Sequence, residues 1–419
     1  MLRLRSKLYL SSRKPTMNDE RQSANTFTAK VINSINAVDA RAWDSCAGQD
    51  RPDANPFVRH DFYSALEDSK SVCAEDGWQP QHIVIEDAAG KILACTAMYL
   101  KSHSYGEYVF DHGWANAYQR AGGRYYPKLQ CAVPFTPVTG PRLMVRSDQD
   151  ETIRVELQTA LMGTMIELAK QRRVSSVHVT FSAEAEQKLM TDAGFLPRIG
   201  EQYHWKNEGY GSFDDFLGAM SSRKRKNIRK EREKANSLGV RIETLVGADI
   251  KPHHWDAFYQ FYVGTSDKKW GQAYLTREFF DLLSQRMPEA VLLVMGFEGD
   301  KPVCGAINLR GENTLFGRNW GGIVDYPFLH FECCYYRAID FAIEHKLEWV
   351  EAGAQGQHKI QRGYLPRATY SAHWIADPRF KDAVARFLDE EREAVARRIE
   401  ALEDWGPFKK EQQDKTDGL

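Results

Sequence analysis

The chain of 419 residues has no uninterrupted apolar run of the roughly eighteen residues needed to cross a bilayer, so no membrane span is expected. Its seven cysteines, at 46, 73, 95, 131, 304, 333 and 334, make no C-x-x-C spacing. The vicinal pair Cys333 and Cys334 suits neither metal chelation nor an ordinary disulfide. Buried free thiols in a reducing, cytoplasmic setting are the expectation, with no metal site. Charge of one sign is also missing: 56 Lys and Arg against 57 Asp and Glu leave a net charge of -1. A global attraction to nucleic acid or acidic lipid is thereby excluded, and any such attraction has to be local. No serine or cysteine lies in a nucleophile setting, so nothing supports a covalent intermediate.

The first sixteen residues, "MLRLRSKLYLSSRKPT", are basic without a single acid. They read as a flexible tail (1–25), with an organellar targeting segment and an upstream start before Met17 as open alternatives.

What the chain does have is an internal repeat. Residues 194–205, "GFLPRIGEQYHW", and 363–374, "GYLPRATYSAHW", share Gly, Leu, Pro, Arg, His and Trp without a gap. Upstream, the helical patterns "LQTALMGTMIELAKQRRV" and "HFECCYYRAIDFAIEHKL" align, and so do "AAGKILACTAMYLK" and "FEGDKPVCGAINLR", each a turn before an apolar strand. Three matches in one order imply a duplicated α/β unit, with mixed strands and a late helix crossing to a central strand. The halves are expected at 26–206 and 207–378. A charged helix and tail follow at 379–419, with Phe380, Val384, Phe387, Leu388, Val395, Ile399 and Leu402 on one face.

Between the halves lies the main charge anomaly. From Arg223 to Lys234 there are eight basic residues and two acidic ones. Ser212 is a plausible N-cap, and a single basic helix over 212–236 is expected. Arg225, Arg229 and Arg232 would share one face, with Lys226 and Lys230 on its neighbour and Arg223 at its start. Such a face can track backbone phosphates, or be a solvated surface paired with Glu231 and Glu233.

The segments "SSRKRKNIRKERE", "WDAFYQFY", "LFGRNWGG", "LHFECCYYRAIDFAIEHKLEWVEAGAQGQHKIQRGYLP", "SAHWIADPRF" and, in the first half, "PFTPVTGPRL" resemble the FemAB-like (peptidoglycan biosynthesis/recognition) family of the GNAT N-acyltransferase superfamily. The resemblance spans about 40–390 and implies two tandem GNAT-like halves, each with a mixed central sheet flanked by helices, plus the C-terminal helix. It implies transfer of an acyl or aminoacyl group from an activated donor to an amine acceptor. Relatives in the wider Fem group use charged tRNA; other members of the superfamily use acyl-CoA. No cofactor is required, although acyl-CoA remains possible as a donor substrate. A CoA enzyme normally carries a glycine-rich pyrophosphate loop before its late helix, and "RNWGGIVDYPFLHFE" lacks one, although Gly321 and Gly322 leave a close backbone approach open. That, with the basic run, favours aminoacyl-tRNA slightly. A non-catalytic binder of RNA or cell-wall fragments is the alternative of another class.

With either donor the enzyme has to align an amine, remove its proton and stabilise an oxyanion. The resemblance carries a lysine before a Gly-aromatic turn, which points to Lys359 for the oxyanion or donor phosphates. Candidate bases are Glu351 at the end of "LEWVE", Glu332 near the late helix start and His358. Gly353, Gln355, Gly356 and Gln357 are candidates for holding substrate, with Arg318 and Trp320 in "GRNWGG" for an anion and a ring. Tyr125 and Tyr126 are candidates for an acceptor pocket in the first half. The repeat supplies an internal control: residues common to both copies should be structural. By it Gly353 to Lys359 carry function, and Pro366, Arg367, His373 and Trp374 are turn and packing residues. Nothing in the sequence bears on oligomeric state.

Overall fold

A computed structural model describes residues 2–4, 27–269, 273–353 and 356–409. The chain forms two compact units, neither continuous in sequence. The first takes Met1–Gly200, Tyr274–Pro288 and Thr369–Ala394; the second takes Glu201–Ala273, Glu289–Ala368 and Val395–Leu419.

In the first unit an antiparallel sheet runs in the order Leu2–Leu4, Thr28–Ile32, His82–Glu86, Ile92–Thr96 and Met144–Val145. Leu2–Leu4 pairs with Ala29–Val31, so this part of the expected free tail is a strand. The rest of the first 26 residues, and with it the targeting question, lies outside the described residues. A mixed sheet follows in the order Trp78–Pro80, Met98–Lys101, Lys128–Cys131, Ser176–Ser182 and the end of Leu365–Ile375. Lys128–Cys131 and Ser176–Ser182 are parallel and the other pairs antiparallel. The crossover helix Glu151–Arg172 opens at Asp150, whose carboxylate accepts from the Ile153 N–H at 2.9 Å. It buries Leu157, Leu161, Met162, Met165 and Leu168 against Ile83, Ile85, Leu129 and Val177. Each such side chain contributes about 1.5–3 kcal/mol.

The second unit also holds a mixed sheet. Val240–Val246, Val291–Glu298, Lys301–Arg310 and Thr314–Gly322 are antiparallel neighbours. Trp349–Glu351 is parallel to the last of these, and the end of Leu196–Lys206 is antiparallel to Trp349–Glu351. The late helix is a short turn Leu329–Phe331, a π-helical stretch Glu332–Tyr336 and the helix Arg337–Glu344.

The division follows packing rather than chain order. The repeated His-Trp strand of the first half pairs with Trp349–Glu351, and its counterpart from the second half pairs with Ser176–Ser182. Each unit is thus completed by the last strand of the other half.

The basic segment is two helices rather than one, Phe213–Ala219 and Ser222–Asn236. Ser212 caps the first through the Asp215 N–H at 3.1 Å, as its sequence predicts. The break comes at Met220, which turns extended because its side chain is drawn wholly into the core. The C-terminal helix spans Pro378–Glu403, with Val384 and Leu388 buried against Trp114 and Tyr125. Phe387, expected on the packed face, is 47% exposed because the buried stripe passes through its neighbour Leu388.

Candidate active site

In the second unit the parallel pair ends early. Thr314, Leu315 and Phe316 face Trp349, Val350 and Glu351, and there the pairing stops, although the first strand continues to Gly322. A register shift between Ala306 and Asn308 marks the same level on the other side. Parallel strands that separate at their carboxyl ends leave a crevice, the general position for a ligand in an α/β sheet.

Four polar side chains gather at the crevice. Glu351 closes its strand, and Arg318 lies just past the last paired residue of the other. Arg318 Nη2 is 3.3 Å from Glu351 Oε2, with both side chains almost wholly buried. Across from Glu351 in register is His204, whose Nε2 lies 3.9 Å from Glu351 Oε1 and 3.4 Å from Gln202 Oε1. Burial pushes the His204 imidazole below its usual pKa; Glu351 opposes this, while Arg318, Arg367 and Lys359 reinforce it. The ring is therefore neutral at pH 7 and able to take a proton.

Lys359 sits in the 3-10 turn Gln357–Arg362 and is 5% exposed. Its ammonium donates to the Ala352 carbonyl at 2.5 Å and the Gly353 carbonyl at 3.3 Å. The charge thus ties down the backbone that leaves Glu351. Gly353 and Gly356 adopt φ values of 76° and 101°, which fit glycine. Gln355 lies outside the described residues.

The other candidates land elsewhere. Glu332 is fully buried and ion-paired with Arg232 at 3.0 Å and Arg337 at 3.1 Å. A carboxylate held this way does not serve as a free base. His358 stacks on Phe331 and shares a 3.0 Å hydrogen bond with the Tyr335 hydroxyl, outside the Glu351 cluster. Gln357 is exposed. Trp320 packs toward the core with His330 rather than beside Arg318. A Cβ on Gly321 would fall 2.2 Å from the Phe261 carbonyl, so this glycine admits the helix Pro252–Lys269 rather than a phosphate.

The basic helix is divided in its loyalties. Arg232 bonds Glu332 and Asp340 and lies 4.2 Å over the Phe213 ring; Arg229 bonds Asp214 at 2.8 Å. Arg225 is half-buried, while Arg223, Lys226 and Lys230 are exposed. The three-arginine face therefore does not act as one surface.

Residues 34–410 match the family model for FemAB-like proteins, described as peptidoglycan biosynthesis/recognition. The chain belongs to the FemAB-like family. Its fold is shared with the C-terminal domain of a putative lysylphosphatidylglycerol synthetase from Agrobacterium fabrum, at 11% identity and a TM-score of 0.51 over 85% of this chain and 96% of that one. It is likewise shared with FemX, at 10% identity and a TM-score of 0.51 over 83% and 98%. No curated protein matches the sequence.

In the first unit of this FemAB-like chain the corresponding crevice is closed. Beyond Cys131 the chain leaves the sheet, and Arg142, 3% exposed, fills the gap. Its guanidinium donates to the Thr180 carbonyl at 3.0 Å and the Val138 carbonyl at 2.7 Å; Glu186 takes the Arg142 and Leu143 N–H groups. Tyr125 is buried and donates to Asp111 at 2.6 Å, and Tyr126 shares a 2.8 Å bond with Ser104. Below them Lys128 donates to Ser104, Glu107 and Asp111 at 2.8, 2.7 and 2.5 Å. His373 faces His178 in register at 2.7 Å between Nδ1 atoms.

The sequence reading passed over His204, Gln202, Arg367 and Tyr335. The first three lie in the repeated segments, where the shared identity of His204 and of Arg367 with their counterparts argued for structure. The missing signal was the strand exchange, which sets equivalent histidines opposite different partners: Glu351 for His204, His178 for His373. A cavity in the second unit opens onto His204 and is lined by Lys206, Glu208, Tyr210, Gly363, Leu365, Arg367 and Phe408. Among the described residues no group of His, Cys, Asp and Glu could hold a metal, and no helix is long and apolar enough to cross a membrane.

Proposed function

We propose that this FemAB-like protein is an N-acyltransferase built from two tandem GNAT-like halves, with its reacting centre in the second unit. The observation that carries the reading is a partly buried histidine on a cavity wall, in register with Glu351 and beside the cations Arg318 and Lys359, where burial lowers its pKa.

In this reading the Nε2–H of His204 points to the Gln202 and Glu351 oxygens, which orient the ring, and its other nitrogen, Nδ1, accepts a proton from the attacking amine. The amine nitrogen bonds to the donor carbonyl carbon. The carbonyl electrons move to oxygen, where Lys359 and Arg318 lower the energy of the negative charge. Collapse expels the donor's alcohol or thiol, which takes the proton back from His204. Covalent bonds and charge balance without a metal or an enzyme-bound intermediate.

For the donor, we favour an aminoacyl ester on tRNA over an acyl thioester of CoA. Two observations support this: Arg223, Lys226 and Lys230 are exposed on one helix, and Gly321 is committed to packing rather than to a phosphate cradle.

The test is a transfer assay with purified protein, mixed amine acceptors and two donors, charged tRNA and acyl-CoA. Replacing His204 by Gln should lower kcat by about 10²–10⁴-fold with donor affinity unchanged. Transfer from neither donor would leave the non-catalytic binder as the answer, and transfer from acyl-CoA alone would reverse the donor order.

A further inference from the structure

Among the described residues the repeated arginine is paired in one unit and unpaired in the other. In the first unit Arg198 stacks over Trp114, its Cζ 5.0 Å from the ring centroid, and forms a two-pronged bond with Glu391 at 2.7 and 2.8 Å. In the second unit its repeat counterpart Arg367 stacks over Trp349 at 5.1 Å. Arg367 is exposed and has no hydrogen bond or ion pair among the described residues. The acid that shares its cavity, Glu208, is taken by Lys206 at 3.2 Å.

The two arginines thus share an indole platform, and only one has its carboxylate. A guanidinium resting over an aromatic ring keeps N–H donors free for a two-oxygen anion, with less side-chain freedom left to lose. In the second unit that edge belongs to a residue lining the same cavity as His204. Arg367 is also close enough to reinforce the neutral state of His204.

We infer that Arg367 binds a carboxylate of the acceptor, so that the substrate class is an amine bearing a carboxylate, such as an amino acid or the C-terminal residue of a short peptide. Arg367 parallels Arg198, with the carboxylate of Glu391 replaced by the ligand's. The acceptor's amine then falls to His204; this clause rests on the proposed transfer reaction, whereas carboxylate binding does not.

The experiment is calorimetry on the full chain with glycine, L-glutamate, L-lysine and alanyl-alanine, each beside its C-terminal amide, and with inorganic phosphate as a competitor. For at least one pair the free acid should bind about tenfold or more tightly than the amide. Arg367→Gln should abolish that preference and Arg367→Lys should weaken it, both at unchanged melting temperature. His204→Gln should keep the preference while losing transfer. No acid preference in any pair, or one that survives Arg367→Gln, overturns the inference, as does an Arg367-dependent response to phosphate alone. An acid preference without transfer from any donor would instead refute the proposed reaction and leave the carboxylate site standing.

Discussion

Replacing Arg232 by Met should destabilise the second unit without any need for a lost ligand. Glu332 is fully buried, and Arg232 supplies its two well-aligned bonds, Nε to Oε2 at 3.1 Å and Nη2 to Oε1 at 3.0 Å. Arg337 Nε also lies 3.1 Å away but makes no properly directed hydrogen bond. Met keeps most of the packing over Phe213 and strands the carboxylate, and leaving one partner of a buried pair costs about 3–5 kcal/mol. Arg232 is itself 21% exposed, so the lower end, about 3 kcal/mol, is the expected loss in urea unfolding at pH 7. Adding Glu332→Gln to the variant should restore most of the loss at pH 7. A loss under about 1 kcal/mol, or no rescue by Gln, would refute the account of Arg232 as the clamp on a buried carboxylate.

Three other outcomes are expected. Reversing Arg223, Lys226 and Lys230 together to Glu should leave the melting temperature nearly unchanged. It should weaken tRNA binding and flatten its salt dependence by about three phosphates' worth, measured by titration at several salt concentrations. Gly321→Ala should destabilise by about 2 kcal/mol or more in urea unfolding, because the new Cβ meets the backbone carbonyl of Phe261. Lys101, fully buried above the Trp78 ring, has its amine pushed down to about 6, chiefly by burial. Between that value and the ordinary lysine value the unfolded chain binds the extra proton, so this residue opposes folding, less so as pH rises. Lys101→Met should therefore stabilise the protein at pH 7 by a few kcal/mol at most, and the gain should shrink toward pH 10. A variant less stable than the parent at pH 7 would contradict this.

The strand runs, the crossover helices and their caps were legible because each depends on local period and turn chemistry: the Asp150 and Ser212 caps are local hydrogen bonds. The break at Met220 was not legible, because it answers to burial in a core that local sequence does not describe. Glu351 and Lys359 were visible as polar residues beside a strand end. Glu332 looked the same in sequence, and only its distant partner Arg232 separates it from them.

The sequence by itself determined that the chain is an α/β protein of the FemAB-like family, since motifs, hydrophobic period and turn residues are all local. The tertiary structure alone decided which partners the repeated residues meet. Strand pairing sets His204 against Glu351 and His373 against His178, and one arginine meets Glu391 while its twin meets no carboxylate among the described residues. Identical residues acquire different roles because protonation state and charge pairing depend on neighbours far away in the chain.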